Sequence, residues 1–152
     1  MERIICLAIG YLFGMFQTSY IIGKIHHMDI RQYGSGNAGT TNALRTLGKK
    51  AGAMTLIGDM LKCVIAILIV NAVFKNRYQE ILPLLGMYTA AGCVLGHNFP
   101  FYLGFRGGKG IAASAGMLLA MDWRVFLICA VIFIGLVAIT RYVSLGSMAA
   151  YA

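Results

Sequence analysis

The stretch AGAMTLIGDMLKCVIAILIVNAVF, residues 51–74, contains only two charged residues, Asp59 and Lys62. As a helix it would be about 36 Å long, which is enough to cross the ~30 Å hydrocarbon core of a bilayer. Because the two charges are three positions apart, they share one face of that helix. A charge at that depth is costly unless it is paired, so we expect an ion pair that faces the bundle interior or lies beside a functional site.

Further apolar stretches lie on both sides of this helix. The chain of 152 residues is 59% hydrophobic and only 12% charged, a balance that excludes an ordinary soluble domain. We therefore predict an all-α, polytopic transmembrane helical bundle that forms a single integral-membrane domain over residues 1–152. About five spans and the start of a sixth are expected, at 4–25, 51–74, 81–95, 110–121, 125–140 and from Tyr142 onward.

The cysteines all lie inside these apolar stretches and show no spacing typical of a metal site. We predict that they are small buried hydrophobes and form neither disulfides nor metal ligands. They are Cys6, Cys63, Cys93 and Cys129.

The distribution of Lys and Arg predicts which side of the membrane the loops face. If each of the five stretches crosses once, two glycine-rich loops and residues 141–147 share a side. That side carries eight of the 13 basic residues, against four on the side of the N-terminus and Lys62 within a helix. The positive-inside rule makes the shared side cytoplasmic and puts the N-terminus outside. A re-entrant segment at 110–121 is an alternative that would change the side of everything after it.

The net charge of +8 is scattered among the spans and is not gathered on one soluble face. This pattern favours membrane lipid headgroups and anionic substrates as partners, and it disfavours nucleic acid.

The first glycine loop, YGSGNAGTTNALR at residues 33–45, is polar although it lies between two apolar stretches. Its glycines allow main-chain N–H groups to turn toward an anion without a side chain in the way. We expect Arg45 in the first turn of a helix or just before it, where the helix N-terminus also favours a phosphate. The alternative is a flexible, solvated loop. The residues expected to bind substrate here are Gly34, Gly36, Asn37, Thr41 and Asn42.

The second glycine loop, GHNFPFYLGFRGGKG at residues 96–110, is not a Walker A phosphate loop. In a Walker A, four residues separate the first glycine from the Gly-Lys pair, and a Ser or Thr that holds magnesium follows the lysine. Here the spacing from Gly104 to the Gly-Lys pair is one residue shorter, and a glycine follows Lys109. Backbone amides together with Arg106 and Lys109 are expected to bind phosphate without a metal. His97 and Asn98 open the loop, and His97 is either a hydrogen-bonded structural residue or a base.

Four motifs taken together resemble the bacterial acyl-phosphate:glycerol-3-phosphate acyltransferases. The resemblance covers nearly the whole chain, and the motifs agree with that family in order, spacing and membrane context. They are YGSGNAGTTNALRTLG at 33–48, GDMLK at 58–62, GHNFPFYLGFRGGKGIA at 96–112 and RYVSLGS at 141–147.

The resemblance implies transfer of an acyl group from acyl phosphate to the 1-hydroxyl of glycerol 3-phosphate, giving lysophosphatidate and inorganic phosphate in phospholipid synthesis. It implies a bacterial inner-membrane enzyme with a cytoplasmic site and no cofactor. The enzyme that makes acyl phosphate is an expected functional partner.

The resemblance also implies roles for individual residues. Ser35 and Arg45 match an essential serine and arginine, and Ser144 with Ser147 match a serine pair. The residues that match a glycine-rich motif for glycerol 3-phosphate are Gly104, Gly107, Gly108, Lys109 and Gly110. The predicted catalytic residues are Ser35, Arg45, His97 and Lys109, and Asn98, Arg106, Ser144 and Ser147 are added to the predicted substrate-binding set.

The chain departs from this family in one respect. Family members continue into a further basic motif with His, Asn, Arg and a late Glu, for which this sequence has no residues, so we expect a chain truncated at its C-terminus. An organic-phosphate transporter and an inactive structural subunit of a lipid-synthesis complex are the alternative functions.

Two mechanisms are compatible with the residues. Acyl phosphate is a mixed anhydride with a good leaving group, so direct, metal-free transfer mainly requires orientation and stabilisation of charge. An acyl-Ser35 intermediate is the alternative, although no G-x-S-x-G sequence surrounds Ser35. The hydroxyl proton passes either to His97 or to a phosphate oxygen of the donor.

Overall fold

The computed structural model describes residues 1–150, and α-helices form every long element of that part of the chain, as predicted. Short 3-10 turns lie at Ile30–Gln32, Gln79–Ile81 and Phe101–Leu103. The α-helices are α1 (Glu2–Gly14), α2 (Thr18–Ile25), α3 (Thr40–Leu47), α4 (Lys49–Phe74), α5 (Leu82–Asn98), α6 (Ile111–Met121), α7 (Trp123–Thr140) and α8 (Val143–Ala150).

The apolar stretches that are long enough to cross a membrane are Glu2–Ile25, Lys49–Phe74 and Trp123–Thr140. Helix α5 has 17 residues and α6 has 11, so the expected number of five spans stays a prediction. The first predicted span, 4–25, lies within the apolar stretch Glu2–Ile25, and its helix is interrupted between Gly14 and Thr18. Gln17 there is extended and buried, and its side-chain amide donates to the carbonyl oxygen of His97 at 2.7 Å.

Helices α1 and α5 run in the same direction with their backbones in direct contact. Each carries two glycines four positions apart, Gly10 and Gly14 on α1 and Gly92 and Gly96 on α5. A Cβ on any of the four would overlap a backbone carbonyl of the other helix. This glycine seam is the small-residue packing that membrane helices use, since lipid gives no hydrophobic drive between helices.

Helix α4 is antiparallel to α1 and lies at the centre of the bundle. Its Lys62 reaches the carbonyl oxygen of Gly14, whereas Val70 packs against Cys6 near the start of α1. A buried cluster joins α4 to the neighbouring helices and contains Cys63, Ile67, Ala90, Cys93 and Ala113. Burial is as predicted for Cys6, Cys63 and Cys93, while Cys129 on α7 is half-exposed.

Helix α6 leaves the second glycine loop and runs alongside α4, where Gly116 lies against the backbone of Met60. Its last residue, Met121, shares a cavity with Leu82 and Pro83 at the start of α5. Helix α6 therefore leads from the second glycine loop toward the start of α5, and the choice between a crossing and a re-entrant segment stays a prediction.

Helix α7 begins where the sequence predicted a boundary. The Asp122 carboxylate caps it by accepting the N–H of Arg124 at 2.8 Å. Its sequence predicts a membrane span, yet none of its residues is buried within residues 1–150. Helix α8 follows after the turn at Arg141, close to the predicted start at Tyr142, and it folds back so that Gly146 lies against Val137.

Candidate active site

The two glycine loops lie side by side at one end of the bundle. The N–H of Ala38 in the first loop donates to the carbonyl oxygen of Gly107 in the second, at 3.3 Å. A second link runs from Arg31, whose Nη1 donates to the carbonyl oxygen of Leu103 at 2.7 Å. The prediction that the loops share a face is confirmed, and they form one continuous surface.

The buried side chain of Asn42 holds the first glycine loop together through hydrogen bonds to its backbone. Its side-chain nitrogen donates within 3.0–3.1 Å to the carbonyl oxygens of Ile30, Tyr33 and Asn37, and its Oδ1 accepts the N–H of Ser35 at 2.9 Å. The side chain is buried because it points from the first turn of α3 back under the loop. These bonds argue against the flexible, solvated alternative. The amide that we expected to bind substrate is engaged by the backbone of the loop itself.

Ser35, Gly36 and Thr41 lie on the exposed side of this loop, and Asn37 is half-exposed. The Ser35 hydroxyl forms no hydrogen bond with any residue from 1 to 150, so it is available to a ligand. Gly36 has φ +72°, a conformation that favours glycine, which explains the turn.

Arg45 lies in the last turn of α3, and the expectation of a first-turn position is wrong. The helix begins at Thr40, five residues earlier than Arg45, because Gly39 is extended and serves as its N-cap without a side-chain cap. The free amides of the helix N-terminus and the guanidinium of Arg45 are therefore separated along α3. Arg45 is exposed and forms no ion pair within residues 1–150.

Gly107 and Gly108 attach the second glycine loop to the end of α5. Their N–H groups donate to the carbonyl oxygens of Asn98 at 3.1 Å and His97 at 3.0 Å, respectively. A Cβ on Gly107 would collide with the His97 carbonyl oxygen, and one on Gly108 with the His97 ring. Glycine is required at both positions because the loop lies directly on the helix.

Arg106 and Lys109 flank these two glycines and are exposed. Neither has a carboxylate within 4.0 Å in the described part of the chain. Gly104 and Gly110 have φ +65° and +79° and close the turns on either side. The loop thus holds two unpaired cations on the surface that it shares with the first loop.

Arg31 differs from these cations because it is neutralised. It contacts the Asp29 carboxylate through Nε and Nη2 at 3.0 and 2.7 Å. Arg31 holds the pKa of Asp29 below its ordinary value, chiefly through these hydrogen bonds. Arg31 therefore joins the loops and is not a free ligand for phosphate.

Asp59, Lys62 and His97 form a buried polar cluster beneath the second glycine loop. The Lys62 ammonium lies 2.9 Å from Asp59 Oδ1 and 2.7 Å from His97 Nδ1. It also donates to the carbonyl oxygens of Gly14 and Phe16 at 3.1 and 2.7 Å, which the interruption of the first helix leaves free. The predicted ion pair that faces the bundle interior is confirmed, and it lies directly against His97.

The sequence interpretation missed the residues that complete this cluster. Thr18 donates to Asp59 Oδ1 at 3.1 Å, and Gln17 donates to the His97 carbonyl oxygen. The available indication was the polar run Gln-Thr-Ser at 17–19 in the middle of an apolar stretch.

The remaining predicted site residues, Asn98, Ser144 and Ser147, form no side-chain hydrogen bond to the two glycine loops within residues 1–150. Asn98 Oδ1 is buried without a hydrogen-bond partner in the described chain. Ser144 and Ser147 lie on α8, where the Ser147 hydroxyl donates to the Ser144 carbonyl oxygen at 2.9 Å. Since α8 packs mainly on α7, no hydrogen bond within residues 1–150 joins these serines to the glycine loops.

A family model described as glycerol-3-phosphate acyltransferase matches residues 4–152, which is nearly the whole chain. The chain belongs to the glycerol-3-phosphate acyltransferase family. It is 55% identical over 147 residues to a glycerol-3-phosphate acyltransferase of Clostridioides difficile, covering 95% of this chain and 71% of the relative. It is 46% identical over 154 residues to one of Lactiplantibacillus plantarum, covering 99% of this chain and 71% of that relative.

A solved structure supports the same family at the level of the fold. The crystal structure of PlsY (YgiH), an integral membrane glycerol 3-phosphate acyltransferase, in its glycerol 3-phosphate form has a TM-score of 0.84 and 35% identity. The comparison covers 99% of this chain and 72% of PlsY. The chain is thus an all-α integral membrane acyltransferase of the glycerol-3-phosphate acyltransferase family, whose members act in phospholipid synthesis.

Proposed function

We propose that the chain transfers an acyl group from acyl phosphate to the 1-hydroxyl of glycerol 3-phosphate, giving lysophosphatidate and inorganic phosphate. The observation that carries this proposal is the joined surface of the two glycine loops, on which Arg106 and Lys109 are exposed and unpaired. Arg45, on α3, is a third exposed and unpaired cation. Two phosphate-bearing substrates require two neighbouring anion sites, and backbone amides with Arg and Lys are the groups that supply them.

The acyl tail is proposed to occupy the apolar groove between α1 and α4. Its lining residues include Leu12, Phe13, Phe16, Leu61 and Ile65, and its volume is about 490 Å³. The groove lies below the loop end of the bundle, since Phe16 immediately precedes the polar residues of the helix interruption. An apolar chain in this groove is removed from water while its phosphate stays at the loops.

Arg45, Lys109 and the backbone amides are proposed to hold the two phosphates, while Ser35 and Asn37 orient the acyl carbonyl or the phosphate. The hydroxyl oxygen of glycerol 3-phosphate forms an ester bond with the acyl carbon, and the bond between that carbon and the phosphate oxygen breaks. The electron pair leaves with the phosphate, and the hydroxyl proton passes to a phosphate oxygen of the donor.

Direct transfer is favoured over an acyl-Ser35 intermediate. The Ser35 hydroxyl has no base within hydrogen-bond distance among residues 1–150, whereas a nucleophilic serine requires one. Rapid quench followed by mass spectrometry tests this, and a trapped acyl-Ser35 would overturn direct transfer.

The glycine loops are proposed to face the cytoplasm of a bacterial inner membrane, with the N-terminus outside. Gln32→Cys near the first loop and Arg77→Cys at the opposite end are both at exposed positions. In intact cells we expect an impermeant maleimide to label only the cysteine at 77, and the one at 32 only after permeabilisation. The reverse pattern would invert the topology.

The enzyme that produces acyl phosphate is the proposed functional partner. The reaction is tested with palmitoyl phosphate and glycerol 3-phosphate by measuring lysophosphatidate and released phosphate. Turnover by the parent that is lost in Ser35→Ala and Lys109→Ala supports the proposal. Transport of glycerol 3-phosphate into proteoliposomes without acyl transfer would favour the transporter instead.

A further inference from the structure

We propose that the buried Asp59–Lys62 pair fixes His97 in the tautomer that carries its proton on Nε2, so that His97 serves the second glycine loop as a hydrogen-bond donor and not as a base. The kinetic consequences rest on the acyl transfer proposed above, but the tautomer itself is measured independently of turnover.

The argument begins at Lys62. An ammonium carries three N–H donors and no acceptor, so a nitrogen 2.7 Å away has to present a lone pair to it. His97 Nδ1 is at that distance and is therefore unprotonated. Four acceptors surround the three N–H groups of Lys62. The contacts to His97 Nδ1 and the Phe16 carbonyl oxygen at 2.7 Å and to Asp59 at 2.9 Å are the shortest, so the Gly14 carbonyl oxygen at 3.1 Å shares one of these protons.

Asp59 does not hold His97 as an imidazolium. Asp59 Oδ1 lies 3.8 Å from His97 Nδ1, which is too long for a hydrogen bond, and it accepts from Thr18 and pairs with Lys62 at shorter distances. A second proton on the ring would point at the Lys62 ammonium. The neutral ring therefore carries its single proton on Nε2.

Nε2 is directed at the junction of the two glycine loops. A Cβ on Gly108 would collide with Nε2 and would lie 2.7 Å from the carbonyl oxygen of Ala38 in the first loop. No hydrogen bond of residues 1–150 uses Nε2. The Nε2–H group thus has no acceptor among residues 1–150 and lies against Gly108, where the two loops meet.

The main chain of His97 is also fixed in place. Its carbonyl oxygen accepts from Gln17 Nε2 at 2.7 Å and from the N–H of Gly108 at 3.0 Å. The ring and the main chain of His97 are thus both fixed, so the N–H group needs little reorganisation when negative charge develops near it. Under this condition a single hydrogen-bond donor contributes most to the rate. As a donor, His97 cannot accept the hydroxyl proton, so that proton goes to the donor phosphate.

The direct test is the ¹⁵N spectrum of histidine-labelled protein in detergent micelles near pH 7, with His97 assigned from the resonances lost in His97→Gln. We expect the shifts of a neutral ring protonated at Nε2. A ring protonated at Nδ1, or an imidazolium, would overturn the proposal even if the enzyme is active. In Lys62→Met we expect His97 to lose this tautomer, because Nδ1 is then free to carry a proton toward Asp59.

Two substitutions at His97 separate a donor from a base. Glutamine places an amide N–H near the position of Nε2, whereas asparagine places it near Nδ1. We expect His97→Gln to keep kcat within about tenfold and to leave its pH profile unchanged, and His97→Asn to lose about 100-fold in kcat. Equal loss in both variants, with the acidic limb of the pH profile removed, would make His97 a base. His27→Gln, at an exposed position, is the matched control and retains full turnover.

Discussion

The helices that support the glycine loops and the helices that follow them are packed in opposite ways. Helices α1 and α5 touch through their backbones along the glycine seam, and α4 adds a buried ion pair to them. Helix α7 buries none of its residues within the described chain and packs mainly on its neighbours α6 and α8. The comparison indicates that rigid packing is concentrated where it positions the loops, and that α7 presents its side chains to lipid or to further protein.

The largest difference between the two regions is expected from removal of a buried charge. In Lys62→Met the Asp59 carboxylate stays buried without its partner, which costs about 3–5 kcal/mol of unfolding free energy. In Arg124→Met, at the exposed start of α7, the change is expected to stay within about 0.5 kcal/mol. Unfolding in mixed micelles followed by circular dichroism measures both.

The double variant Asp59→Asn/Lys62→Met is the control for this prediction. It removes both charges together, so most of the lost stability is expected to return. If the single Lys62→Met variant proves as stable as the parent, Asp59 and Lys62 do not form a buried pair.

The next largest effect is expected from one methyl group in the glycine seam. In Gly92→Ala the new Cβ would overlap the carbonyl oxygen of Leu7 and force α1 and α5 apart, at a cost of about 1–3 kcal/mol. In Gly135→Ala on α7 the new Cβ would have nothing within 4 Å, so no loss is expected. The measurement is the melting temperature of each variant. Equal melting temperatures of Gly92→Ala and Gly135→Ala would mean that α1 and α5 are not in backbone contact along the seam.

A smaller and more local effect is expected in Asn42→Ala. Without the side chain that joins Ile30, Tyr33 and Asn37, the first glycine loop loses order while the bundle remains folded. We expect KM for glycerol 3-phosphate to rise about tenfold, which corresponds to ~1.4 kcal/mol. Faster amide hydrogen exchange over residues 33–39 is the structural readout. Gln32→Ala, an exposed neighbour, keeps the parent KM and exchange rates.

The smallest effect is expected from the Asp29–Arg31 ion pair, which is half-buried and precedes the first glycine loop. Arg31 lowers the pKa of Asp29, so the folded protein binds this proton less readily than the unfolded chain does. The resulting stabilisation is complete above the ordinary pKa of 3.8 and is lost as the pH falls below it. We expect less than ~1 kcal/mol, visible as a difference between the parent and Asp29→Asn that disappears only below about pH 4. A difference that instead disappears near neutral pH would implicate another group.

Much of this architecture follows from local patterns in the sequence. The all-α class, the common face of the two loops and the Asp59–Lys62 pair each depend on hydropathy, on loop composition or on residues three positions apart. These patterns are short-range, and a membrane leaves few alternatives to the helix.

The features that the sequence did not reveal depend on partners far away in the chain. The interruption at Gln17 is stabilised by a hydrogen bond to the carbonyl oxygen of His97, 80 positions later. Lys62 donates to the carbonyl oxygens that the interruption leaves free. Asn42 was expected to bind substrate, and Arg45 was expected in the first turn of a helix or just before it. The burial of Asn42 depends on how α3 lies under the loop, which composition does not fix. The glycine seam was visible as two G-x-x-x-G spacings, but their pairing required the tertiary structure.

The glycine seam also has a consequence for how the protein is made. Helix α1 emerges from the ribosome and enters the membrane long before its seam partner α5 has been synthesised. Helix α4 arrives in between, and Lys62 together with the packing of Val70 on Cys6 can already join it to α1, so we expect the first hairpin of the fold to form before the glycine seam. The close glycine packing then forms when α5 is inserted, and only at that stage do the two glycine loops meet.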